Sequence, residues 1–160
     1  MITTRLATPA DTAALAELLY QIDLHYFGPG RACRQASARY AADKLFQPHC
    51  GVQIMLAERE GVAIGLATFS QLYPAPDYGG QLFMKDLFTH PEARGSGAGK
   101  ALMKALACHA LKHGCQRLDW TAERGNADAV AFYRRIGAGI VEDKIYYRFS
   151  GEALKDFAGR

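Results

Sequence analysis

Residues 82–102, LFMKDLFTHPEARGSGAGKAL, join a strand-like apolar run to a helical pattern through a glycine-rich turn. Gly95, Gly97 and Gly99 stand at alternate positions of this turn, where the missing Cβ leaves backbone N–H groups open to a ligand. The helix that follows directs its positive end toward the same place. The stretch is therefore predicted to be an anion-binding turn, with phosphate as the expected anion.

Spacing excludes two common phosphate motifs. A Walker loop requires Ser or Thr after its lysine, but Lys100 is followed by Ala101, and Arg94 stands where its first glycine is needed. A dinucleotide fingerprint that starts at Gly95 requires a third glycine where Lys100 stands. The pattern that remains is R-x-x-G-x-G, and such a turn can also serve only to allow tight packing between a strand and a helix.

Composition and charge set the broad class of the protein. The chain has 160 residues, 49% of them apolar, and a formal net charge of +3 without a basic block, which does not indicate nucleic-acid binding. The four cysteines lack metal or disulfide spacing, and no apolar run could span a membrane. We therefore expect a cytoplasmic protein with no nucleic-acid or membrane partner and no metal; the His109 and His113 pair is interpreted as helix surface.

The order of elements predicts a single α/β domain over residues 1–160, with a mixed sheet of about seven strands flanked by helices. A helix is expected to begin at Pro9, capped by Thr8, and to run to about Leu24, leaving a polar and aromatic loop after it. Predicted strands cover 2–7, 52–58, 62–72, 82–89, 117–121 and a closing hairpin of 140–141 and 145–149; the other predicted helices cover 35–46, the stretch from the turn to about 113, 127–136 and 152–157.

A second motif follows the glycine turn after one helix and one strand. Residues 126–138, NADAVAFYRRIGA, together with R-x-x-G-x-G, resemble the acyl-CoA-binding motifs of the GCN5-related N-acetyltransferase (GNAT) superfamily. The resemblance extends over almost the whole chain, and KDLF and AERGNADAVAFYRRIGA look most like its diamine and thialysine acetyltransferase branch. It implies a homodimer that transfers acetyl from acetyl-CoA to a small amine.

The resemblance also implies roles for individual residues. Tyr133 would be the general acid that protonates the leaving thiolate, since its ordinary pKa of about 10 exceeds the thiol's of about 8.5 by a modest amount. Asn126 would bind the cofactor arm, although an Asn here can equally be a helix cap. Acetyl-CoA would otherwise be held by the strand end and the turn, at Leu87, Phe88, Thr89, Arg94, Gly95, Ser96, Gly97, Ala98, Gly99 and Lys100.

The acceptor side is less sharply defined. Asp86 and Glu123 are the candidates to take the amine proton, and His25 and Tyr26 lie where the branch recognises its substrate. Lys85 stands where that branch has a substrate-binding Glu, so a polyamine acceptor would meet a cation there. Two alternatives stay open: a non-catalytic acyl-CoA binding or sensing module, and an acetyltransferase that acts on protein amino groups.

Overall fold

A five-stranded mixed sheet forms the centre of the first of two compact units, Met1–Thr121 and Ala122–Arg160. The computed structural model describes all residues, Met1–Arg160. The strands lie in chain order across the sheet. They are β1 (Ile2–Leu6), β2 (Gln53–Arg59), β3 (Val62–Leu72), β4 (Gly80–Thr89) and β5 (Cys115–Trp120); the helices are α1 (Thr12–Phe27), α2 (Arg34–Lys44), α3 (Ala98–Lys112), α4 (Ala127–Arg135) and α5 (Gly151–Ala158).

The predicted mixed α/β architecture is confirmed, but the strand count is wrong. The sheet has five strands rather than about seven, because residues 136–150 contain no strand and the closing hairpin is not formed. The alternation of apolar residues there favours an extended chain, but a strand also requires a neighbouring edge that supplies its hydrogen bonds. The local sequence pattern therefore predicted that this segment favours an extended chain, but it could not predict whether the segment pairs with another strand.

The strand pairings explain why the sheet is mixed. β1, β2, β3 and β4 are antiparallel neighbours, whereas β5 runs parallel to β4 after the crossover through α3. Glu60 and Gly61 both have positive φ values, of 55° and 78°, which is the conformation of the tight turn joining β2 to β3. The antiparallel hairpin expected at this place is present.

Helices cover both faces of the sheet in this unit. Leu15 and Leu18 of α1 pack with Ile54 and Leu56 of β2 on one face. The alternate β2 residue Met55 lies with Ala101 and Ala105 of α3 on the other face. The buried core therefore has two layers, one on each side of the sheet. Its fully buried larger side chains include Phe69, Leu15, Leu18, Leu56, Leu66, Leu82, Met84, Leu102 and Leu106.

The second unit differs in having no buried residue. It contains α4 and α5, joined by irregular chain, and all its side chains are at least partly exposed. Phe149 and Phe157 stack within it, with ring centroids 4.5 Å apart. A single domain over 1–160 stays a prediction. Neither this unit nor the first contains a helix that is both long enough and apolar enough to cross a membrane.

His109 of α3 is buried rather than on the helix surface as the sequence predicted, and this gives the protein a predicted dependence on pH. Burial, followed by the charges of His113 and Lys112, lowers the pKa of this imidazole, which contacts the Phe69 ring edge-on at 5.0 Å. The unfolded chain therefore binds a proton near pH 6.5 that the folded chain does not, so stability falls as pH drops below that value. One such group contributes at most about 1.4 kcal/mol per pH unit.

Melting temperatures measured from pH 7.5 to pH 5 should show this loss. His109→Gln should flatten the profile, whereas His49→Gln, at an exposed position, should leave it unchanged. An equally steep loss in His109→Gln would show that other groups cause it.

Candidate active site

The glycine turn connects β4 to α3 as the sequence predicts. His90 ends the strand and its Nδ1 accepts a hydrogen bond from the Glu92 N–H, which opens a single 3-10 turn at Pro91–Ala93. Gly95 and Gly97 then have φ values of +77° and +91°, in the left-handed region that favours glycine. A Cβ at either position would meet no atom within 4 Å, so the space in front of the turn is open.

The turn presents a row of unpaired backbone donors. The N–H groups of five residues at the turn and in the first turn of α3 donate to no acceptor, while Ala101 N–H begins the helical ladder by donating to the Gly97 carbonyl. The helix dipole adds positive potential at the same end of α3. An anion is therefore favoured at these five donors, which belong to Gly95, Gly97, Ala98, Gly99 and Lys100.

β4 separates from β5 before it reaches the turn. The parallel pairing of the two strands ends at Met84 and Trp120, although β4 continues to Thr89. The last five residues of β4 therefore have no β5 partner, and four of them pair with β3. This leaves an open wedge beside the strand that leads directly to the glycine turn.

Backbone direction decides which groups line the wedge. His90 N–H donates to the Ile64 carbonyl of β3, so the alternation of antiparallel pairing turns the Phe88 main chain toward β3 as well. The main-chain groups of Leu87 and Thr89 consequently point away from β3, into the wedge. Of the three residues predicted to lie beside the cofactor, these two have backbone donors available to it.

A β-bulge at Lys85 sets the position of Asp86. Met84 pairs with Phe69 and Asp86 with Thr68, so Lys85 is the extra residue. The side chains of residues directly opposite each other on neighbouring strands lie on the same face of the sheet. Met84 therefore lies with Phe69 on the face covered by α3, and Asp86 lies with Thr68 on the face covered by α1. Without the bulge the two would share a face, because side chains alternate along a strand.

The bulge also settles the orientation of the predicted acceptor residues. The Lys85 side chain is 77% exposed, and its Nζ is 3.9 Å from Asp86 Oδ1, at the limit of an ion pair. Thr68 Oγ1 donates to Asp86 Oδ2 at 2.7 Å and accepts from the Asp86 N–H at 3.1 Å. Asp86 is thus oriented by Thr68, with Oδ1 open to a cation.

Thr68 and Gly65 also shape the candidate site, although the sequence alone did not point to them. A Cβ at Gly65 would lie 2.7 Å from the Phe88 carbonyl oxygen, so only glycine lets β3 approach β4 this closely. The roles of both residues depend on contacts with the partner strand, so the sequence around them gives little indication of these roles. The one available signal was a glycine inside a β-rich run.

His25 and Tyr26 occupy the last turn of α1 rather than the loop after it. The helix continues to Phe27 and ends where the Gly28 N–H donates to the Leu24 carbonyl, so the predicted end at about Leu24 is too early. Both side chains are exposed, and their rings contact edge-on at 5.0 Å.

Asn126, Tyr133 and Glu123 belong to the second unit. Asn126 caps α4, since its Oδ1 accepts from the Ala129 N–H at 3.1 Å, and its amide nitrogen remains available to a ligand. Tyr133 lies seven residues later on the same side of the helix, with its ring edge-on to Phe132 at 5.2 Å. Glu123 is exposed before the helix.

Comparison with known proteins identifies the family of this chain. Residues 16–138 match the family model described as the acetyltransferase (GNAT) family. The chain belongs to the GNAT family. The match begins within α1 of this GNAT protein and ends just after α4, so it includes the glycine turn and the helix that contains Tyr133.

Individual relatives narrow the comparison. Mouse thialysine N-epsilon-acetyltransferase is 33% identical over an alignment of 90 residues that covers 51% of this chain and 50% of that protein, so the chain spans about half the length of this curated relative. An uncharacterized N-acetyltransferase, YhfO, from Bacillus subtilis (strain 168) is 33% identical over 83% of this chain and 87% of its own. An integron cassette protein from V. cholerae has a solved structure with a TM-score of 0.94 and 39% identity, covering 99% of this chain and 98% of that one.

Proposed function

We propose that this GNAT protein transfers an acetyl group from acetyl-CoA directly to a primary amine of a small, cationic molecule of the diamine, polyamine or lysine type. The observation that carries the proposal is the row of five unpaired N–H donors at the start of α3, next to a β4 main chain that has lost its β5 partner. Similarity to a thialysine acetyltransferase supports the choice of acceptor class.

The anion-binding turn fits the pyrophosphate of CoA. Its N–H groups match phosphate oxygens in hydrogen-bonding character, and the exposed Arg94 and Lys100 add positive charge. The wedge beside Leu87 and Thr89 would take the pantetheine arm, whose amides can pair with these main-chain groups. Asn126 would donate its amide nitrogen to the same arm while its oxygen caps α4.

The chemistry requires an oxyanion donor and a proton source. Acetyl-CoA supplies an activated thioester; the neutral amine attacks its carbonyl carbon, a C–N bond forms and the C–S bond breaks. The N–H of Leu87 or Thr89 would stabilise the oxyanion. Tyr133 would give its proton to the departing thiolate. The ammonium form of the acceptor would give the proton that it carries at neutral pH to Asp86, Glu123 or water, which leaves the neutral amine that attacks.

Asp86 would bind the cationic acceptor. Its Oδ2 accepts from Thr68 while Oδ1 stays open, so a diamine or lysine-like cation can pair with the carboxylate. Lys85 competes weakly for the same oxygen, because it is exposed and 3.9 Å away. The exposed His25 and Tyr26 would contribute to acceptor recognition at the end of α1.

Release of the CoA thiol tests the proposal. The protein is incubated with acetyl-CoA and, in turn, with diamines, polyamines, lysine analogues, aminoglycosides and peptides. Turnover is expected on the diamine or lysine-like compounds. Saturable CoA binding without turnover on any acceptor would favour a sensing module, and turnover on peptides alone would favour protein amino groups.

A further inference from the structure

Lys85 places a primary amine beside the Asp86 carboxylate. It is the extra residue of the β4 bulge, and its side chain is 77% exposed. Its Nζ lies 3.9 Å from Asp86 Oδ1 and makes no hydrogen bond, so the amine is free to move. Thr68 donates a hydrogen bond of 2.7 Å to the other carboxylate oxygen, Oδ2. The Lys85 amine therefore lies at the oxygen that Thr68 leaves open.

The same amine lies at the beginning of the wedge. Met84 is the last β4 residue that pairs with β5, so Lys85 is the first residue of the unpaired part of the strand. Leu87, whose main chain faces the wedge, follows two residues later, which is about 7 Å along a strand. A lysine amine is carried on a flexible four-carbon chain that can cross such a distance. The Lys85 amine can therefore reach a carbonyl group held next to the Leu87 N–H.

We propose that Lys85 is a self-acetylation site, at which the chain transfers an acetyl group from acetyl-CoA to its own side chain. This inference rests on the proposed function, because it uses the same acetyl donor and the same wedge. Attack within one chain is favoured, since the nucleophile is already held next to the place where the thioester would lie. No second molecule has to be bound and oriented.

Asp86 supplies the proton acceptor for this step. One water, or a small rotation of the exposed Lys85 side chain, bridges the 3.9 Å between Nζ and Oδ1. The ammonium gives one proton to Asp86, which passes it to water, and the neutral Nζ attacks the thioester carbonyl carbon. A C–N bond forms, the C–S bond breaks, and the nitrogen loses a second proton while the CoA thiolate takes one up.

The products of the step are an acetylated Lys85, the free CoA thiol and one proton released to water. Acetylation removes the charge of a lysine. The modified chain would therefore lack the cation next to Asp86 Oδ1, which leaves this oxygen to a cationic acceptor.

Lys144 provides a matched control within the same chain. Its side chain is also 77% exposed, and its Nζ lies 3.8 Å from Asp143 Oδ2, so the exposure of the amine and its neighbouring carboxylate match those at Lys85. Lys144 belongs to neither β4 nor the glycine turn. Acetyl-CoA that reacts without catalysis would label the two amines equally. A preference for Lys85 therefore measures the contribution of the site.

Mass spectrometry tests the modification. The protein is incubated with acetyl-CoA that carries a deuterated acetyl group, without any amine acceptor, and acetyl groups present beforehand are recognised by their ordinary mass. Peptides with Lys85 should be acetylated at least about 10-fold more than peptides with Lys144. The first-order rate constant should not change when the protein is diluted. Equal acetylation of both lysines, or a rate constant that rises with protein concentration, would overturn the proposal.

Chemical protection gives a second test that requires no acetyl transfer. Reductive methylation modifies exposed amines, and bound CoA should slow it at Lys85, because the thiol end of the ligand would lie against that amine. Methylation of Lys144 should be the same with and without CoA. Methylation of Lys85 that CoA does not slow would contradict the placement of this amine.

Thiol release with added amines separates this proposal from the proposed function. Turnover on a diamine or lysine analogue without preferential acetylation of Lys85 would rule out self-acetylation and support acetyl transfer to small amines. Preferential acetylation of Lys85 without turnover on any added amine would support self-acetylation and contradict the proposed acceptor class.

Discussion

Tyr133→Phe is expected to lower kcat for acetyl transfer by about 10² to 10⁴-fold, the range that general acid catalysis contributes. The substitution keeps the ring, and therefore its edge-on contact with Phe132, and removes only the hydroxyl. Without that proton donor the thiolate must leave unprotonated or take a proton from water. Affinity for CoA should be unchanged, because the turn that would bind pyrophosphate lies elsewhere in the chain.

Thiol release measured over time gives kcat, and calorimetric titration gives the affinity for CoA. The two measurements together check this expectation. Tyr40→Phe is the matched control, since Tyr40 is an exposed tyrosine of α2 and should tolerate the loss of its hydroxyl. Unchanged turnover in Tyr133→Phe would exclude the acid role.

Gly97→Val is expected to raise the acetyl-CoA Kd by about 10 to 100-fold, or ~1.4 to 2.8 kcal/mol of binding free energy. Gly97 has φ of +91° at the start of α3, and a side chain with a Cβ costs roughly 1–2 kcal/mol in the left-handed region. The valine methyls would also occupy the open space before the N–H donors. The backbone would shift, or the pyrophosphate would be displaced; both weaken binding.

Calorimetric titration with CoA measures the effect, and circular dichroism checks that the variant folds. Gly30→Val is the control, because Gly30 has an ordinary φ and open space around it. An intact fold with unchanged CoA affinity in Gly97→Val would show that the turn does not bind the pyrophosphate.

The local sequence was enough to predict those structural elements that are determined by a few adjacent residues. The strand, glycine turn and helix around Gly97 could be predicted because the left-handed positions and the helix start are encoded in adjacent residues. The tight turn at Glu60 and Gly61 and the Asn126 cap followed in the same way. The end of α1 was placed too early because the helical ladder tolerates His25 and Tyr26 and stops only at Gly28.

Strand pairing was the part that local pattern could not supply. The bulge at Lys85 depends on the register between β4 and Thr68 and Phe69 of β3, residues that are distant in the chain. That register moves Asp86 to the α1 face. The hairpin expected at 140–149 failed for a related reason, since its residues favour extension but no strand edge pairs with them.

The residue order alone therefore specified a glycine turn before a helix, its GNAT motifs and an α/β fold, because each depends on short-range backbone chemistry. Tertiary structure decided which backbone donors face the wedge, which face of the sheet carries Asp86 and how many strands the sheet contains. These features depend on hydrogen bonds between distant segments, and a shift of one residue in such a pairing turns every following side chain to the other face.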